Sequence, residues 1–125
     1  MGIVWNILDS IRKNIAENVD IGTAIIGNGD VPASLLPAVK IFPNVVSSNS
    51  AAEIPTVFEL TATIEILFLP KTEEDEMISK VEKIENILNS DIYPEGCRLK
   101  NSPTSRIYRD KNFARTELTI RWCEI

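Results

Sequence analysis

Thr56-Val57-Phe58-Glu59-Leu60-Thr61-Ala62-Thr63-Ile64-Glu65-Ile66-Leu67-Phe68-Leu69 is the stretch on which the reading of this chain turns. Phe58, Leu60, Ala62, Ile64, Ile66 and Phe68 alternate with Glu59, Thr61, Thr63 and Glu65. That period of two belongs to a strand with one face in a core and the other in water. Pro70 stops it, since proline cannot donate to a ladder. Phe113 to Ile125 repeats the pattern, with Ala114, Thr116, Leu118, Ile120 and Trp122 on one face and Arg115, Glu117, Thr119 and Arg121 on the other. The acids Glu59 and Glu65 of the first strand therefore find a structural role opposite Arg115 and Arg121 of the second.

Two such strands need an apolar layer over their inner faces, and two helical periodicities supply it. Ile3, Val4, Ile7, Leu8, Ile11, Ile15 and Val19 predict an amphipathic helix over residues 3 to 19. Met77, Ile78, Val81, Ile84, Ile87 and Leu88 predict a second, with Thr72 as N-cap and Glu73, Glu74 and Asp75 in a first turn whose dipole favours acids. It should stop near Asn89 to Asp91, ahead of Pro94 and Gly96.

The remaining segments are shorter. Asp20 to Pro37 is rich in glycine and proline, with a turn at Gly27-Asn28-Gly29-Asp30 and extended pieces around Ile25 and Val31. Ala38 to Phe42 reads as a short strand ended by Pro43, and Asn44 to Pro55 as a polar, mobile loop. Cys97 to Lys100 and Ser105 to Tyr108 read as short strands; the Asn101 to Asn112 region has few apolar residues and is expected to be mobile in the free chain. The expectation is a single α+β domain over residues 1–125: an antiparallel-rich β-sheet with two amphipathic helices packed on one face.

Composition agrees with that architecture and narrows function. The chain has 125 residues, 44% of them apolar and 25% charged, which is enough to close one core without disulfides or a structural metal. Acids outnumber bases 18 to 13, against a dedicated nucleic-acid binder. No window approaches a membrane span, and no basic, apolar leader opens the chain, so it reads as cytosolic. Histidine is absent, which removes the commonest general base and transition-metal ligand. Gly27-Asn28-Gly29 lacks the rest of a phosphate-binding fingerprint, and Glu73 to Glu76 lack the spacing of a calcium loop. No cofactor and no catalytic residue is expected, and the chain reads as a non-enzyme. Cys97 and Cys123, both in strand-like segments, read as reduced thiols, with a bridge between paired strands the alternative.

Charge is unevenly distributed along the chain. Residues 1–52 hold 3 bases and 4 acids, residues 53–95 hold 3 and 11, and residues 96–125 hold 7 and 3. One reading is internal neutralisation; the other is docking of unlike surfaces on neighbouring copies, as a head-to-tail ring requires. The candidate interface residues are Arg98, Lys100, Arg106, Arg109 and Lys111 on the basic side and Glu73, Glu74 and Glu76 on the acidic side.

The layout resembles that of the tail terminator, or tail-completion, proteins of long-tailed bacteriophages. The resemblance rests on the order of elements and on Ile107-Tyr108-Arg109-Asp110 followed by Phe113-Ala114-Arg115-Thr116-Glu117-Leu118-Thr119-Ile120-Arg121-Trp122. It implies a structural protein without enzymatic activity, forming a hexameric ring on the head-proximal end of the tail tube. The implied partners are itself, the tail tube protein and the head-completion or neck proteins, with no sequence-specific nucleic acid and no membrane. The implied location is the host cytoplasm during assembly and then the tail or neck of the virion. Another head–tail connector component or a bacterial scaffold subunit is the alternative, followed by a small acid-based enzyme or ligand-binding domain.

Overall fold

The structure, a computed structural model, describes residues 2–48 and 56–124. Chain order is helix α1 (Ile3–Asn18), strands β1 (Thr23–Ile26), β2 (Ala38–Ser48) and β3 (Thr56–Leu67), helix α2 (Glu74–Leu88), and strands β4 (Arg98–Leu99), β5 (Thr104–Tyr108) and β6 (Phe113–Glu124). The six strands form one sheet in the order β1-β2-β3-β6-β4, with β5 also pairing β6. Only the β1–β2 pair is parallel. The fold is α+β, as the two hydrophobic periods predict.

Both helices lie on one face of the sheet. Along β3, Leu60, Ala62, Ile64 and Ile66 are fully buried, and along β6 so are Ala114 and Ile120, with Leu118 and Trp122 nearly so. They meet Ile7, Leu8, Ile11 and Ile15 of α1 and Met77, Val81, Ile84 and Leu88 of α2. Helix α1 packs over β1 and β2 while α2 packs over β5 and β6. The helices run in opposite directions. The Ser10 hydroxyl of α1 donates to the Ile92 carbonyl just past α2, and Lys80 of α2 donates to the Asp20 carbonyl just past α1 at 3.1 Å. Burial raises the Tyr93 phenol pKa, and its hydroxyl donates to the Leu88 carbonyl at the end of α2.

Four local readings need correction. The N-cap of α2 is Glu73, with no side-chain cap; the Thr72 hydroxyl instead donates backwards to the Leu69 carbonyl at 2.5 Å, closing the turn that follows Pro70. Strand β2 continues through Pro43 to Ser48. Proline is tolerated because β1 ends opposite Ile41, leaving that edge without a neighbour among the described residues, and because the register shifts between Pro43 and Val45. No strand forms around Val31; the chain makes a single 3-10 turn at Ala33–Leu35 before β2. Residues 104–108 of the segment expected to be mobile are paired residue for residue with β6. The rest of the predicted Asn44 to Pro55 loop lies outside the described residues.

Gly22 holds the α1–β1 connection against the chain ahead of β2. Its amide donates to the Pro37 carbonyl at 2.7 Å, and a Cβ there would sit 2.0 Å from the Leu35 carbonyl oxygen. Both cysteines are free: Cys97 is half-buried and Cys123 exposed. Among the described residues no helix is long and apolar enough to cross a membrane.

Candidate assembly surfaces

Cα partners across a sheet share a face, so the strand registers define the helix-free face as a series of rows. One row runs Lys40, Glu65, Arg115, Arg106 across β2, β3, β6 and β5. Another runs Ser47, Glu59, Arg121, Arg98 across β2, β3, β6 and β4. Between them lie Thr61 beside Thr119, and the row Phe42, Thr63, Glu117, Thr104. Behind the first row, the Tyr108 and Phe113 rings stack with centroids 4.5 Å apart.

The carboxylates of β3 organise these rows. Arg121 places Nε at 3.0 Å and an outer nitrogen at 2.7 Å from one oxygen of Glu59, and Lys100 reaches the same oxygen at 3.1 Å. The Arg121 hydrogen bonds, followed by that of Lys100, hold the Glu59 carboxyl below its ordinary pKa. Arg115 binds Glu65 at 2.9 Å, which raises the guanidinium pKa further. These pairs are the β3–β6 matches that the sequence pattern predicts. They are only partly exposed, with Glu65 the more covered of the two carboxylates, and at such a surface each contributes about 0–1 kcal/mol, so they order the face more than they stabilise the fold.

The pairs neutralise only part of the face. Arg98, Lys100, Arg106, Arg115 and Arg121 stand against Glu59, Glu65 and Glu117, five bases to three acids on a chain of net charge −5, while Lys40 at the β2 end of its row is buried. Arg98 lies directly opposite Arg121, and Arg106 directly opposite Arg115. Each β6 arginine has a glutamate from β3; neither edge-strand arginine has an ion-pair partner among the described residues. Arg106 lies over the Tyr108 ring, 5.9 Å from its centroid.

The candidate interface residues fall into three groups. Arg98, Lys100 and Arg106 belong to the helix-free face. Arg109 and Lys111 occupy the 3-10 turn between β5 and β6, and Arg109 binds Glu74 at 3.1 Å within the same chain. Two residues assigned by charge to opposite patches thus neutralise each other locally. Glu73 and Glu76 begin α2 on the helix layer; Glu73 is exposed, and Glu76 lies 4.0 Å from Lys80.

Sequence reasoning missed two features. Lys40 continues the charged row into β2, a position legible in the alternation Val39-Lys40-Ile41. The second feature is the outer half of β2, Pro43–Ser48, an exposed strand paired on one side only among the described residues. Val45 and Val46 are 57% and 50% exposed there, on opposite faces of the ribbon. Two adjacent valines in an otherwise polar stretch were its signal. A shallow hollow of about 410 Å³ lies beside this arm, lined by Ser47, Ser48, Val57, Glu59 and Arg121. No group of three metal-ligating side chains occurs among the described residues.

A mixed sheet with paired helices on one face and a charged, helix-free face on the other defines a small α+β chain. Among solved structures the chain is similar to one in the "Virion of native gene transfer agent (GTA) particle", with a TM-score of 0.58 and 8% identity, over 98% of this chain and 96% of that one. The likeness is one of fold. No protein-family model and no curated protein matches the chain.

Proposed function

We propose that this chain is a structural protein of a phage-like particle, a tail terminator whose copies close a hexameric ring on the head-proximal end of the tail tube. The observation that carries the proposal is the end-to-end fold match, 98% of one chain on 96% of the other, to a component of a gene transfer agent virion. The role is read as non-catalytic. The uncovered charged face and the one-sided arm at Pro43–Ser48 support a protomer built to be packed against others. The ring's partners are then further copies, the tube protein on one side and neck proteins on the other, and its location is the virion.

Electron microscopy of the purified protein, alone and mixed with tail tubes, tests this reading. Rings of uniform diameter, and density capping one end only of each tube, are the expected result. A protein that stays monomeric and leaves tubes uncapped overturns it.

A further inference from the structure

Resting on the ring reading, we propose that the helix-free face, through Arg98 and Arg106, receives the outward acidic stripe of α2 from a second copy of this chain. The arginines of this face are arranged as like-charge pairs. Like charges placed directly opposite on neighbouring strands destabilise a sheet unless a counter-charge offsets them. Here that arrangement occurs twice, at Arg98 opposite Arg121 and Arg106 opposite Arg115. In both rows the β3 carboxylate is already bound to the β6 arginine, so the edge-strand arginine awaits an anion from outside.

The other side of the protomer offers acids that are unpaired among the described residues. Met77, Val81, Ile84 and Leu88 of α2 face the core, so helical geometry turns Asp75, Ser79, Glu82 and Asn86 outward, and all four are exposed. Asp91, exposed just past the helix, extends the acids to its far end. Asp75, Glu82 and Asp91 have no ion-pair partner among the described residues.

The two patches also match in length. The two arginine rows are six residues apart along β6, about 20 Å at strand rise. Helix α2 has 15 residues, about 22 Å at helical rise, with Asp75 at one end and Asp91 beyond the other. Lys83 is exposed between those ends, as Glu117 is between the rows. Laying α2 of one copy on the sheet face of the next would cover the bare side of the sheet with helix. The contact joins two different patches, so it propagates head to tail and excludes self-paired dimers by like-charge repulsion.

The test uses charge reversal at both patches. In Arg98→Glu/Arg106→Glu each substitution turns a like-charge cross-strand pair into an unlike one, so the monomer should melt no lower than wild type while self-association weakens at least roughly tenfold. Asp75→Lys/Asp91→Lys should lose assembly equally. A mixture of the two variants retains two compatible interfaces, the wild-type one and its charge-reversed counterpart, and should form rings in which the variants alternate, and the variant carrying all four substitutions should also recover rings. Sedimentation velocity and native mass spectrometry across a sodium chloride series read each case. Wild-type rings with Arg98→Glu/Arg106→Glu assembling equally well overturn this docking but leave the ring reading standing. Loss of assembly in both variants without recovery in the fourfold variant also overturns it. A wild-type chain that never self-associates, alone or on tubes, overturns both readings. If the wild type instead binds duplex DNA as a monomer, and Arg98→Glu/Arg106→Glu abolishes that binding, the face serves nucleic acid and the proposal fails.

Discussion

Replacing Ile64 by alanine probes the packing of the whole fold, because this side chain lies at zero exposure in the middle of β3, between Ile41 of β2 and Thr116 of β6. Removing a fully buried isoleucine loses its transfer free energy and leaves a cavity that neighbours fill only partly, together about 3–4 kcal/mol. For a chain of 125 residues the unfolding entropy near the midpoint is about 0.26 kcal/mol/K, so Tm should fall by about 13 °C. Total stability for this length is of order 10 kcal/mol, so the alanine variant should still fold. Aspartate at the same position goes further. A buried carboxyl held neutral at pH 7 carries about three units of raised pKa, or about 4 kcal/mol beyond the cavity cost. That penalty applies above the unfolded pKa and vanishes as pH falls below it, so Ile64→Asp should recover stability relative to Ile64→Ala near pH 4. Thr61→Ala, on the opposite face and half exposed, is the control and should move stability by no more than about 0.5 kcal/mol. Differential scanning calorimetry with circular dichroism measures all three. An Ile64→Ala variant that melts within about 3 °C of wild type would show that the helices do not close over this face as described.

Gly22→Ala should destabilise the chain by about 1–3 kcal/mol, since its methyl group must displace the Leu35 carbonyl; an unchanged melting temperature contradicts the close approach. Glu59 contributes stability above the ordinary carboxylate range, and that contribution is lost as pH falls through its lowered pKa, so Glu59→Gln should flatten the acid limb of a stability-against-pH curve. Burial raises the thiol pKa of Cys97, so a disulfide reagent at pH 8 should label exposed Cys123 quickly and Cys97 slowly; equal rates would contradict the packing around β4. Backbone amides from Val45 to Ser48, in a strand paired on one side only, should exchange faster in the monomer than those of Val39 and Ile41, and equal protection would mean the arm is covered.

The two long strands, both helices and the Glu59, Glu65, Arg115 and Arg121 pairing could all be read from residue periodicity, because burial of one face is a local, repeating constraint on the chain. Sequence was least informative where neighbours decide. Pro43 reads as a stop, yet at an edge its missing donor costs nothing and β2 runs on to Ser48. Thr72 reads as a cap, but its hydroxyl is taken by Leu69. The net charge of residues 96–125 pointed to a basic surface, but composition carries no direction in space. It placed Arg109 beside Arg106, whereas the turn after β5 carries Arg109 across to Glu74 and leaves Arg106 on the sheet. The interface candidates were therefore found as a group and could be sorted only once strand register was known.

The position of β6 in the sheet has a consequence for synthesis. It is the last of the six described strands to be made, yet it lies between β3 and the short edge strands. About 45 residues separate the end of β3 from the start of β6, so at ribosomal rates the β3 edge stays bare for roughly 2–9 s in every round of translation. A bare, strongly apolar strand on a polysome, within reach of identical nascent chains, invites pairing with the wrong copy. Glu59 and Glu65 lie in that strand, and until their arginines emerge they are unneutralised. Two nascent β3 strands brought together would set like charges against each other. The carboxylates that fasten the finished sheet thus also keep unfinished ones apart.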